Sequence, residues 1–339
     1  MTAPAPNVEP ATRDVPRTSI LGAGTRGYHE LLYAAGATLF AFYFCGLHLR
    51  LPEWQPVDFS HLVAGTALTP MQYRVLLPFL VRQLQAAELP LLAGWGLGAY
   101  QRALDLLGCV AVLYSARYFW RSLGYRSGQA MAGSVLFALV LPFQFLLPTI
   151  RFHYCYDLPS IAFFTLCLGA LVRRSWLVFY PVFILATFNR ETTAFLVPIF
   201  LLVSLGRDRW PGVIGHAAAQ TALWVTIKWF LWTQYGGNTD PAYASGFDLY
   251  KDSVAQNLRL LDADLSVWLS LASNWGFLWI PAFTQWRRIH HPFIARALWV
   301  VPLYVCAMFF VGELEELRIY GEMIPLVLAG AVLSRPLVA

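Results

Sequence analysis

The sequence predicts an all-α, polytopic membrane protein with about ten transmembrane helices and an added amphipathic helix on the extracytoplasmic surface. Three observations lead there. Of the 339 residues 58% are hydrophobic and only 13% charged, with a mean hydropathy of +0.54, outside the range of soluble globular chains. The apolar residues gather in about ten runs, most near the roughly 20 residues that a helix needs to cross a hydrocarbon core. The links between runs also alternate in kind. One kind carries arginine: Arg117, Arg121 and Arg126; Arg173 and Arg174; Arg207 and Arg209; Arg287 and Arg288. The positive-inside bias makes these cytoplasmic. The other kind is longer or chemically mixed and therefore faces outward: residues 49 to 97, Arg151 to Asp157, Asn189 to Glu191, 233 to 263, and Glu313 to Arg318.

Residues 1 to 27 are rich in Ala, Pro and Thr and lack an apolar h-region, so they read as a disordered cytoplasmic tail ahead of an uncleaved anchor. Residues 28 to 339 then form a single transmembrane helical domain. Its spans run over about 28 to 48, 98 to 118, 128 to 148, 156 to 172, 175 to 188, 193 to 206, 212 to 232, 265 to 286, 292 to 311 and 319 to 334, which returns both termini to the cytoplasm and suits a bacterial inner membrane. Residues 75 to 97 are apolar but carry Arg82, Gln83, Gln85 and Glu88. If they crossed, every later link would invert and most link arginines would lie outside, so they are assigned to a helix lying on the outer surface. The runs 175 to 188 and 193 to 206 are too short for two full crossings, and they read as an antiparallel pair whose turn dips below the outer surface.

A soluble enzyme is excluded by composition. The five cysteines show no CxxC spacing, so neither a disulfide framework nor a cysteine metal site is indicated. There is no internal repeat, and no Walker loop, HExxH or GxSxG.

Candidate chemistry gathers in the outward links. The first holds Glu53, Asp58 and His61, then Gln72, Tyr73 and Arg74. A carboxylate there is placed to take a proton from an acceptor hydroxyl while a nearby arginine binds a lipid phosphate; the plain alternatives are loop solvation for the acids and snorkelling for Arg74. The link Arg151-Phe-His153-Tyr-Cys-Tyr156-Asp157 mixes a cation, an imidazole, aromatic faces and an acid. Such a set suits a sugar phosphate, although aromatics also populate interfacial belts and Asp157 also suits a helix cap. Asn189, Arg190 and Glu191 lie between two apolar half-helices with no loop to carry them into water. They either pair with each other or serve a ligand. Glu315 or Glu316 with Arg318 forms a further acid and base pair, with Glu322 one turn inside the last span. Lys228 reads as a snorkelling side chain. Asp262 and Asp264 have DxD spacing, a weak sign of a divalent metal where an N-cap is also needed. No metal or other cofactor is therefore assigned.

This layout resembles the GT-C superfamily of integral-membrane glycosyltransferases. The resemblance rests on Asp58, Gln72-Tyr73-Arg74, Tyr156-Asp157, Asn189-Arg190-Glu191-Thr192, and Glu316 with Arg318. It implies a polyprenyl-phosphate-linked sugar as donor and membrane lipids as neighbours, with no nucleic acid. It also implies an extracytoplasmic site and an inverting transfer with Asp58 as general base. One departure from that pattern is the first loop, which has no adjacent acidic pair. The competing readings are a transporter or lipid flippase, in which buried charges mark a translocation path, and a noncatalytic scaffold for envelope assembly.

Overall fold

The computed structural model describes residues 20–239 and 246–334, and every regular element among them is helical. The expected tail 1 to 27 lies outside the described residues up to 19, and residues 20–27 form the first turns of helix α1, Ile20–His48. The link over residues 49 to 97 contains two short helices, α2 (Phe59–Ala64) and α3 (Leu76–Ala86). Helix α3 is 11 residues long, about 16 Å at 1.5 Å per residue, too short to cross a bilayer core. It buries Leu77, Pro78 and Val81 on one face and exposes Phe79 and Leu80 on the other.

The body follows as α4 (Leu97–Ser122), α5 (Ser127–Phe145), α6 (Asp157–Arg173), α7 (Trp176–Asn189), α8 (Leu196–Ser204) and α9 (Trp210–Tyr235). After α10 (Gly246–Arg259) come α11 (Leu265–Ala272), α12 (Trp279–Thr284), α13 (Pro292–Ala297), α14 (Val300–Val311) and α15 (Ile324–Leu333). Among the described residues, four stretches are long and apolar enough to cross a membrane: Gly27–His48, Leu97–Ser122, Ser127–Phe145 and Pro292–Val311. The other expected spans are shorter or broken, except that of α9, an unbroken helix of 26 residues that falls short in apolarity. Helix α7 and the stretch Glu191–Ser204 are short apolar helices. The segment from 265 to 284 is interrupted at Trp275 and Gly276, both in left-handed backbone, and the last begins as a 3-10 turn over Leu317–Met323.

The core is centred on α4 and α6, the most extensive helix pair. Small residues set their separation. A Cβ at Gly108 would lie 2.8 Å from Pro159 Cδ, and one at Gly169 would lie 2.6 Å from Tyr118 Cδ1, so alanine at either position would push the two helices apart. This close pairing fixes the first residue of α6, Asp157, against the neighbouring turns. On the other side, Asn257 of α10 donates to the carbonyls of Phe309 (2.8 Å) and Gly312 (2.7 Å) and accepts from Leu314 N (2.9 Å). That strap holds the link carrying Glu316 and Arg318.

Candidate functional site

Four chain segments bring their charged residues to one place: the 3-10 turn Met71–Tyr73 with Arg74, the start of α6, the break between α7 and the 3-10 turn Glu191–Phe195, and the turn Leu317–Met323. At its centre is Asp157, fully buried. Its Oδ1 accepts from Arg190 Nη1 at 3.2 Å and its Oδ2 accepts from Arg318 Nη1 at 3.2 Å. Both guanidinium groups are themselves nearly inaccessible. Asp157 is the first residue of α6 rather than its cap. The N-cap position belongs to Tyr156, which makes no side-chain cap bond.

Each arginine is held a second time. Arg318 Nη2 donates to Glu316 Oε2 at 2.7 Å and its guanidinium lies 4.3 Å from the Tyr154 ring. Arg190 Nε lies 3.7 Å from Glu322 Oε1. Glu322, also buried, accepts from the Thr192 hydroxyl at 2.6 Å and the Tyr304 hydroxyl at 2.7 Å. Asn189 donates to Tyr156 O at 3.1 Å and Ser160 Oγ at 2.7 Å, which ties the break after α7 to the first turn of α6.

Arg190 and Glu191 do not pair with each other. Arg190 turns to Asp157, whereas Glu191 Oε1 accepts from Arg74 Nη2 at 2.9 Å and Glu191 Oε2 lies 3.8 Å from Lys228 Nζ. The backbone at Arg190 is extended, φ −159° and ψ 145°, and in extended chain successive side chains point opposite ways. Lys228 is thus largely buried beside a carboxylate and does not snorkel.

Arg74 is buried, with its guanidinium 4.6 Å from the Tyr156 ring. Its Nε and Nη1 atoms have no hydrogen-bond partner. Buried donors are ordinarily satisfied, so these two nitrogens stand out as unspent donors. Glu191, beside Arg74, is 36% exposed, although its Oε2 is buried. Tyr73 packs with Val75, Ile227 and Leu231. The ion pairs that link these segments join four cations, Arg74, Arg190, Arg318 and Lys228, to four carboxylates, Asp157, Glu191, Glu316 and Glu322.

The remaining candidates lie around this network. Arg151 is 71% exposed and 3.8 Å from Glu315. Asp58 caps α2: its Oδ1 accepts from His61 N (2.9 Å), Ser60 Oγ (2.7 Å) and His61 Nδ1 (2.8 Å), and none of these three bonds goes to Oδ2. Partial burial works against ionisation, but these bonds outweigh it and hold the carboxyl below its usual range. Asp58 shares none of these bonds with the network. It is coupled to it through α2 and Gln72, which accepts from Ala67 N (2.9 Å), donates to Leu62 O (3.4 Å) and stands two residues before Arg74. His153 faces away from Asp157, toward Leu51 and Gln101. Asp262 and Asp264 are exposed, Asp264 makes no side-chain cap bond, and no metal-binding group of His, Cys, Asp and Glu occurs among the described residues.

Sequence reasoning missed the roles of Glu322, Lys228 and Gln101. Glu322 and Lys228 had a usable signal, an ionisable residue inside an apolar run. Gln101 had none. No protein-family model matches the chain, and no curated protein or solved structure matches it either.

Proposed function

We propose that the protein is an integral-membrane glycosyltransferase of GT-C type, with ten crossings and both termini in the cytoplasm. It would move a sugar from a polyprenyl-phosphate donor to an extracytoplasmic acceptor, a glycan, lipid or protein of the cell envelope. The observation that carries this reading is buried Arg74, whose Nε and Nη1 have no hydrogen-bond partner while its guanidinium lies 4.6 Å from the Tyr156 ring and its Nη2 donates to Glu191. A guanidinium with unpartnered N–H donors suits the anionic oxygens of a phosphodiester. Burial makes that interaction stronger than it would be in water.

The chemistry then needs few groups. The acceptor hydroxyl oxygen attacks the anomeric carbon from the face opposite the phosphate, the carbon–oxygen bond to phosphate breaks, and configuration inverts. Arg74 stabilises the phosphate that leaves. Asp58 takes the hydroxyl proton as general base: it is ionised at neutral pH, its Oδ1 is anchored by three donors, and its Oδ2 accepts none of them. The Asp157, Arg190 and Arg318 triad supplies rigidity, holding the ends of α6, α7 and the turn before α15 in register.

The test is transfer of radiolabelled sugar from polyprenyl phosphate by the purified protein in nanodiscs, with Asp58→Asn and Arg74→Ala beside wild type. No transfer by wild type across a broad panel of donors and acceptors would sink the enzyme reading.

A further inference from the structure

A second polar cluster, distinct from the Asp157 network, joins the first outward link to the link 151 to 157. His153 Nδ1 lies 2.6 Å from Leu51 O, a carbonyl that can only accept, so Nδ1 carries the proton. His153 Nε2 lies 3.0 Å from Gln101 Nε2, an amide nitrogen that can only donate, so Nε2 carries the lone pair. The same Gln101 nitrogen donates to Glu53 Oε1 at 2.6 Å, and Glu53 Oε2 accepts from Phe59 N at 3.2 Å. The backbone N of His153 donates to Pro52 O at 3.1 Å. Neutral His153 with its proton on Nδ1, facing an ionised Glu53, satisfies every one of these bonds.

Adding a proton breaks the set. A second proton on His153 would point Nε2–H at the Gln101 NH₂. Turning the amide over would present its oxygen to His153 but would also set that oxygen against the Glu53 carboxylate, which must then be protonated as well. The surroundings resist a second proton on His153 but favour protonated Glu53. Burial lowers His153, as does His48, whose ring lies 5.4 Å away, against a smaller opposing effect of Asp105, which pairs with His48 at 3.0 Å. Burial raises Glu53, the bond from Phe59 N opposes that, and nearby Asp58 adds to it; Cys155 is the further titratable neighbour.

We propose that His153 is a positioning residue, a pH-sensitive clamp that through Gln101 and Glu53 holds the Asp58-bearing link against the link that ends in Asp157. This role rests on the glycosyltransferase reading, because the clamp sets where the base stands relative to the phosphate site. A depressed imidazole favours the neutral form in the folded protein, so the clamp is complete above the ordinary imidazole range and is lost as pH falls through the folded value.

The experiment is a ¹⁵N-imidazole NMR titration of the full-length protein in nanodiscs, with His153 assigned by its loss in His153→Asn. Expected are the Nδ1–H tautomer at neutral pH and a midpoint below that of free imidazole. Gln101→Leu, which removes the donor to Nε2, should raise the midpoint by about half to one pH unit. Sugar transfer adds a second readout. Wild type should lose kcat on the acid side, whereas His153→Asn, which keeps a donor toward Leu51 O but offers Gln101 no acceptor, should have a lower kcat at neutral pH and a flatter acid limb. The Nε2–H tautomer, or a midpoint that Gln101→Leu does not move, would overturn the clamp whatever the transfer assay shows. Failure of transfer alone would overturn the enzymatic reading and leave the tautomer result standing.

Discussion

Asp157 and Arg318 meet at 3.2 Å across 161 positions of chain, both out of contact with solvent. Arg190 grips the other oxygen of the same carboxylate at 3.2 Å. A buried carboxylate shared by two buried guanidinium groups favours folding only while all three are present, since desolvating any one charge alone is costly.

Replacing Asp157 by Asn should therefore destabilise the protein by about 3–5 kcal/mol, leaving two buried cations against a neutral amide. Thermal unfolding in detergent reads this as a lowered apparent Tm. Arg318→Leu added to Asp157→Leu should recover part of the loss relative to Asp157→Leu alone. An unchanged Tm in Asp157→Asn would show that the triad does not hold the fold.

Asp58→Asn separates chemistry from structure, because asparagine caps a helix about as well as aspartate. Expression and Tm should hold while transfer falls by about 10²- to 10⁴-fold, the usual cost of a lost general base. Full activity in this variant would shift the base to Glu53, the half-buried carboxylate on the same link.

Arg74→Lys keeps the charge and loses the fork. If the guanidinium edge binds a phosphodiester, Lys should restore little of what Ala removes, and both variants should require more donor as well as turning over more slowly. Equal activity in Arg74→Lys and wild type would reduce Arg74 to a point charge.

Orientation is testable in intact cells with single cysteines at exposed Gln256 and Arg207. A membrane-impermeant maleimide should label Cys at 256 and spare Cys at 207. The opposite pattern would invert every link.

Much of the helical layout was legible because it depends on local quantities. Apolar runs, breaks and arginine-bearing links are properties of neighbouring residues, and the helical stretches at Leu97, Ser127, Trp176 and Pro292 begin within a residue of the expected spans. The break around Asn189 also falls where expected, since three polar residues between apolar runs force it, although the second half is a 3-10 turn followed by a helix of only 9 residues.

The partners of those polar residues were not legible. Arg190 and Glu191 are adjacent and opposite in charge, which suggests a mutual pair, yet extended backbone at Arg190 sends them to Asp157 and Arg74 instead. Gln101 is a single amide in an apolar helix and carries no signal of its bonds to Glu53 and His153. The sequence by itself determined an all-helical membrane chain, because hydrophobic burial and helix length are set residue by residue along the chain. Only the tertiary structure decided that Asp157 would face two arginines, Glu191 would hold Arg74, and Glu322 would close the network. Ion pairing inside a helical bundle depends on which faces the helices turn toward one another, and close contacts such as Gly108 against Pro159 help to set those faces.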